Sequence, residues 1–145
     1  LMPPEPEWLD LNGLMAKIEL NGKTGANYLD VKRLRNLVEV PALAHLLVNV
    51  EDGHERRDTK PRISREKIKQ EGRQPYTTFR GIIHTIVFPC VLAHHYLDLV
   101  GSQYHSTCVP HLSLFDGDQP LLNIYDEDLA YPKLGAPSCG AVVGA

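Results

Sequence analysis

No long apolar run is present in this 145-residue sequence, and none of its apolar stretches approaches the roughly 18–20 residues that a membrane span requires. Cysteine is scarce: there are three, an odd number that no disulfide framework can use completely. Aromatic residues make up only 7%, with a single tryptophan. Neither charge sign dominates, since the net charge is -3 at pH 7. That balance exerts no overall pull towards nucleic acid or an acidic membrane. The first residues, LMPPEPEW, lack the apolar centre of a signal peptide. Together these absences predict a cytoplasmic protein with reduced thiols and no membrane association.

What is there suits one globular domain. The chain is 43% apolar and 23% charged, and at this length a core forms without disulfides or a structural metal. Residues 1–7 carry Pro3, Pro4 and Pro6 and should be an extended or disordered lead-in to a single domain over 8–145. Leu11, Leu14, Met15 and Ile18 have helical spacing, and Asn21-Gly22 suits a helix stop. Val31, Leu34 and Leu37 mark a second helix with Lys32, Arg33 and Arg35 on its wet side. HLLVNV at 45–50 reads as a strand, and Ser64 as the cap of a short helix that stops at Gly72. Thr77 or Thr78 starts the clearest helix, with Phe79, Ile82, Ile83, Ile86 and Val87 as its core stripe and Pro89 as its end.

From Tyr96 the pattern changes to strands. YLDLVGS is one, HLSLF and QPLLNIY form a hairpin around Asp116-Gly117-Asp118, and AVV at 141–143 adds a short one. The predicted fold is α+β, with N-terminal helices packed on a small, mainly antiparallel sheet built largely by the C-terminal third.

Several short motifs stand out: Gly72-Arg73-Gln74-Pro75 before a helix, Val109-Pro110 before the hairpin, and Leu134-Gly135 with Ser138-Cys139. In these the chain resembles an uncharacterised family of small actinobacterial hypothetical proteins, a domain of unknown function, over about residues 41–140. The resemblance implies one co-inherited domain and carries no activity.

Candidate chemistry concentrates in CVLAHHYLDLVGSQYHSTC, residues 90–108. Cys90 and His94 are four apart and share a helix face, and His105 and Cys108 are three apart, so a Cys₂His₂ metal set is conceivable. It lacks any C-x-x-C pair. A thiol enzyme would need a base beside its cysteine, and Cys108 meets His111 only if Pro110 breaks the strand. The nucleophile motif G-x-S-x-G and the glycine-rich phosphate loops are absent. Asp116/Asp118 and Asp126/Asp128 do not follow the spacing of a calcium loop and are better explained as turn residues.

The strongest binding signal is the segment 56–73, with eight Lys or Arg against three acids, a local net of +5 that leaves -8 for the rest. Arg56, Arg57, Lys60, Arg62, Arg65, Lys69 and Arg73 are its candidate contacts with an anionic partner. No aromatic residue interleaves them, so stacking on a single strand of nucleic acid is not indicated. The sequence therefore predicts a non-catalytic, cofactor-free interaction protein that binds another protein or itself, as a homo-oligomer. Nucleic acid is the less favoured partner. The competing reading is a metal-binding protein or thiol enzyme centred on 90–108.

Overall fold

The computed structural model describes residues 1–144. Its elements, in chain order, are α1 (Leu11–Met15), β1 (Glu19–Leu20), β2 (Lys23–Thr24), β3 (Ala26–Asn27), a 3₁₀ turn at Val31–Arg33, β4 (Leu34–Asn36), β5 (His45–Val48) and a second 3₁₀ turn at His54–Arg56. There follow α2 (Pro61–Gln70), β6 (Gln74–Pro75), α3 (Thr78–Val87), α4 (Val91–His94), β7 (Tyr96–Asp98), β8 (Ser102–Tyr104), β9 (Cys108–Phe115), β10 (Gln119–Asp126), β11 (Leu134–Gly135), β12 (Ser138–Cys139) and β13 (Ala141–Gly144). This is an α+β fold, and its helices do not dominate the N-terminal part as the sequence suggests.

The reason lies in the turns. Asn21 and Gly22 both adopt positive φ, 57° and 72°. That is the geometry of a tight hairpin turn and not of a helix cap. The hairpin of β1 and β2 folds back so that Gly25 N–H donates to the carbonyls of Met15 and Ile18, ending α1 after five residues. Ile18 is still fully buried, through the hairpin rather than a helix face. Downstream, Asp30 caps a single 3₁₀ turn and Leu34–Asn36 pairs with β8 instead of continuing a helix. In α2, Pro61 occupies the first turn and Ser64 lies buried inside the helix, so the start falls three residues before the expected cap.

Helix α3 begins as predicted, with the Thr77 hydroxyl accepting from Arg80 N–H. Its buried face overlaps the expected stripe, with Phe79 and Ile82 buried and Ile86 packed against the main core, but is turned away from Val87. Thr78, Gly81, Ile82 and Thr85 form the fully buried i, i+3, i+4, i+7 row, while Val87 is 61% exposed. Gly81 accounts for this rotation: a Cβ there would lie 2.3 Å from Leu99 Cδ2, so only glycine admits the close approach. The Thr85 hydroxyl donates to Gly81 O at 2.8 Å and enters the core already satisfied.

The main sheet has seven strands, with the path β11-β7-β9-β10-β3 and β8 and β4 attached beside β9. The predicted hairpin of β9 and β10 is its spine, in register from Gln119↔Phe115 to Asp126↔Cys108, and Asp116-Gly117 makes the turn with φ of 51° and 69°. The expected strand YLDLVGS is broken at Leu99–Gly101, where Gly101 packs against the Tyr76 backbone. Its halves pair β9 at Leu97↔Leu112 and Tyr104↔Cys108. The N-terminal region also supplies β3 and β4 to this sheet, so the sheet is not confined to the C-terminal third. β13 pairs with β5, and Met2 bridges to His45, so the proline-rich lead-in is extended and docked.

Parity along these strands creates two unlike faces. Leu97, Leu112 and Leu122 join Ile82, Leu92 and Tyr76 in the main core. On the other face, Val109 and Tyr125 pack with Ile68 of α2, Val100 and Ala136. The remainder of that second face sets Asp98, His111 and Ser113 among apolar residues such as Leu121.

Candidate functional site

The basic segment is tied into the fold. Arg56 donates to Glu51 at 2.7 Å and to Glu71 at 2.6 Å. Arg62 pairs with Asp128 and Glu127, and Arg65 with Glu127 and the Val100 carbonyl. Arg73 reaches Ser138 Oγ at 2.9 Å and the Asn49 carbonyl at 2.6 Å. Arg56, Arg62, Arg65 and Arg73 thus serve acids and carbonyls within the fold, tying α2 and the segments flanking it to their neighbours. Arg57 gives its Nε–H to the His54 carbonyl, while Lys60 and Lys69 project from exposed positions. The +5 of the sequence is therefore largely neutralised in place.

The Cys/His set is scattered. Cys90 and His94 are exposed at the two ends of α4, just ahead of β7. β7 meets β9 at Leu112, and Cys108 lies four residues further along β9, about 13 Å at strand rise. His105 faces Arg33 Nη1 at 3.1 Å and stacks edge-on against Tyr104. Among the described residues no group of three or more His, Cys, Asp or Glu side chains is placed to hold a metal ion. β9 also runs unbroken through Pro110, so Cys108 packs on the main core while His111 emerges on the opposite face. Burial raises the pKa of the Cys139 thiol, the reverse of an activated nucleophile.

The second face is where unusual chemistry gathers. Asp98 on β7 lies directly opposite His111 on β9. Tyr125 on β10 completes the group: its hydroxyl donates to Asp98 Oδ1 at 2.6 Å, and its ring meets the His111 ring edge-on at 5.1 Å. Asp98 Oδ2 and His111 Nδ1 are both buried without a hydrogen-bond partner. Burial lifts the Asp98 carboxyl to about 7, against the pull of the Tyr125 hydrogen bond. The same dry surroundings depress His111 to about 4 and push the Tyr125 phenol above its ordinary value, helped by the Asp98 charge. Burial thus favours the uncharged form of both the imidazole and the carboxyl.

A cleft of about 630 Å³ opens over this floor. Tyr96, Tyr125 and Tyr131 form its aromatic walls, with Ser113 beside His111 and Lys133 at the rim. Tyr131 stands 5.4 Å from Tyr125, and Lys133 Nζ lies 5.5 Å from the centre of the Tyr96 ring. The wall carrying Tyr131 and Lys133 is held by Lys133 O and Leu134: the first accepts from Tyr96 N–H at 2.6 Å, and the second pairs in parallel with β7. A mainly apolar concavity with a few converging polar groups and displaced pKa values is the usual form of a ligand site.

A second cleft, about 620 Å³, lies between Val50–Arg56 and His84, Phe88 and Val91. In its lining Arg56 pairs with two glutamates, His84 Nδ1 with the Tyr76 hydroxyl at 3.0 Å, and the Asp52 carbonyl with Nε2 of His95, which lies behind the lining with its Nδ1 buried and unpartnered, at 2.8 Å. The carbonyl fixes the proton of His95 on Nε2. That arrangement stabilises the loop and leaves less to recognise a ligand than the Asp98 cleft does.

The group of Asp98, His111 and Tyr125 includes none of the residues that the sequence analysis singled out as metal ligands or binding contacts. Asp98 passes for an ordinary strand residue in YLDLV, and His111 and Tyr125 fall in a hairpin read as structure. The available signal was the parity: Asp98, His111 and Tyr125 interrupt otherwise apolar strands at positions that share one face.

The model of a family of unknown function, DUF5701, matches residues 1–117. The match includes Asp98, His111 and Ser113 and ends before Tyr125, Tyr131 and Lys133. No curated protein and no solved structure matches.

Proposed function

The chain belongs to the DUF5701 family of unknown function, and from that premise we propose that it acts by binding a small, largely apolar ligand in the cleft above Asp98, His111 and Tyr125. One observation carries the reading: His111, which lines an aromatic cleft, has a buried Nδ1 without a partner, and Asp98 directly beneath it has an unpartnered Oδ2. An unpartnered buried polar atom costs about 1–3 kcal/mol, and a ligand hydroxyl or carbonyl, or a water it displaces, relieves that cost. This keeps the binding role expected from sequence and moves it from the basic segment to the sheet. Saturation-transfer NMR with ring-containing fragments, followed by amide shift mapping, tests it. Shifts centred on Tyr96, His111, Ser113 and Tyr131 are expected. Shifts elsewhere, or none at millimolar fragment, refute it.

A second reading is self-association through the ribbon of β5 and β13. Leu46 and Val143 lie opposite each other and are 48% and 49% exposed. Such paired exposed apolar residues on a short ribbon favour docking of another chain. Light scattering of the wild type and of Leu46→Lys tests this: a wild-type dimer that dissociates in the variant supports it, and a monomer at high concentration rules it out.

A further inference from the structure

We propose that the ligand of the Asp98 cleft is a compact aromatic acid, its ring held among the tyrosines and its anionic group on the Lys133 ammonium. This rests on the small-ligand reading above and deepens it.

The argument is one of charge and shape. Among the residues lining the cleft, Lys133 alone carries a formal charge at neutral pH: the other polar groups there are tyrosine hydroxyls, Ser113 and His111, whose imidazole is dry and uncharged. Asp98 lies beneath the lining and is fully buried. A cationic ligand would therefore meet no ionised carboxylate on the walls and one ammonium at the rim. An anion meets a single cation, the exposed Lys133 ammonium, with an attraction that solvent and salt partly screen. The ammonium is also positioned, since Lys133 lies over the Tyr96 ring and its own carbonyl is fixed by Tyr96 N–H. Ring-bearing ligands suit the walls, because Tyr125 and Tyr131, which pack on each other at 5.4 Å, and Tyr96 give the cleft aromatic surface. A hydroxyl at the far end of the ring would offer a partner to His111, which lines the cleft and whose Nδ1 is buried and unpartnered. Position and charge together select a molecule with an acid at one end, a ring in the middle and a hydrogen-bonding group at the other.

Three probes of nearly equal shape separate these terms: 4-hydroxyphenylacetate (anionic), 2-(4-hydroxyphenyl)ethanol (neutral) and 2-(4-hydroxyphenyl)ethylamine (cationic). Titration of the full chain by NMR or calorimetry should rank them anion, neutral, cation, with about tenfold between the first two, as expected for one partly screened charge pair. Lys133→Met should lower the affinity for the anion to that of the alcohol and leave the alcohol unchanged. Lys133 is exposed, so this variant keeps the fold, which an unchanged melting temperature checks. Equal binding of acid and alcohol, or no loss in Lys133→Met, overturns the aromatic-acid assignment while leaving the small-ligand reading intact. Tightest binding by the amine overturns it likewise. Failure of all three to shift the cleft amides at millimolar concentration overturns both.

Discussion

Replacing Asp98 by asparagine should change how stability depends on pH, with a sign and size set by the cleft floor. Folded Asp98 titrates near 7 against an ordinary value of 3.8. Between those values the folded chain holds a proton that the unfolded chain has released. Stability from this group is therefore full below about pH 4 and is lost as pH rises through 7. Three pH units at about 1.4 kcal/mol each correspond to roughly 4 kcal/mol. His111 acts in the opposite direction. Its folded value of about 4 lies below the ordinary 6.5. Its contribution is present above about 6.5 and lost as pH falls through 4, about 3 kcal/mol in all. In the wild type the two slopes nearly cancel between pH 4 and 6.5.

Asparagine has no proton to hold, and its amide still accepts from the Tyr125 hydroxyl. Asp98→Asn should therefore gain on the wild type steadily from pH 4 to 8, by up to about 4 kcal/mol. It should also show the unopposed His111 slope below pH 6.5. Urea unfolding at half-unit pH steps, with midpoints and m-values fitted separately, measures this. Other displaced groups, such as Glu51 (lowered by Arg56) and Glu5 (raised by burial), are common to both chains and cancel in the difference. A constant difference across the range would show that Asp98 titrates as an ordinary surface carboxylate, and the account of the floor would fail.

Other perturbations probe the frame around the cleft. Gly135→Ala places a Cβ 2.1 Å from the Gly53 carbonyl oxygen, a backbone atom that cannot swing aside; a loss of about 1–3 kcal/mol is expected in urea melts. Gly22→Ala meets nothing within 4 Å but keeps φ at +72°, so it should cost only about 1 kcal/mol; equal losses would refute the steric argument. Arg73→Met strips partners from the Asn49 carbonyl and Ser138 and should lower stability by about 1–3 kcal/mol, whereas Lys60→Met should stay within about 0.5 kcal/mol. A similar small effect for both would mean that the arginine is not structural. Native mass spectrometry should give one protein mass with or without chelator, unchanged in Cys90→Ser; a zinc adduct lost in that variant would restore a metal role for the stretch 90–108.

Local chemistry made parts of this fold legible in advance. Asp116-Gly117 announced the β9–β10 hairpin, Thr77 the start of α3, and Pro89 its end, because each acts through backbone geometry within a few residues. The same local logic misled at Leu11–Ile18. There, helical spacing and an Asn-Gly stop are equally consistent with a short helix followed by a hairpin, and the contact of Gly25 with Met15 decided between them. In α3 the apolar stripe holds at Phe79 and Ile82, and the fit of Gly81 against Leu99 brings Thr78 and Thr85 into the buried face beside them.

By itself, the sequence determined the α+β class, the strand-rich second half and the presence of charge enough to pin α2. Those properties follow from composition and from periodicities of two and 3.6, which every residue carries wherever it ends up. Only the tertiary structure decided what the charges and the histidines do. Arg62 finds its acids some 65 residues away, at Glu127 and Asp128, and Asp98, His111 and Tyr125 come from three strands joined by register. Their burial, and with it the displaced carboxyl and imidazole, exists only once β7, β9 and β10 are paired and the Tyr131–Leu134 wall has closed over one side. Desolvation depends on the assembled surroundings of a residue, and no neighbour in the chain encodes it.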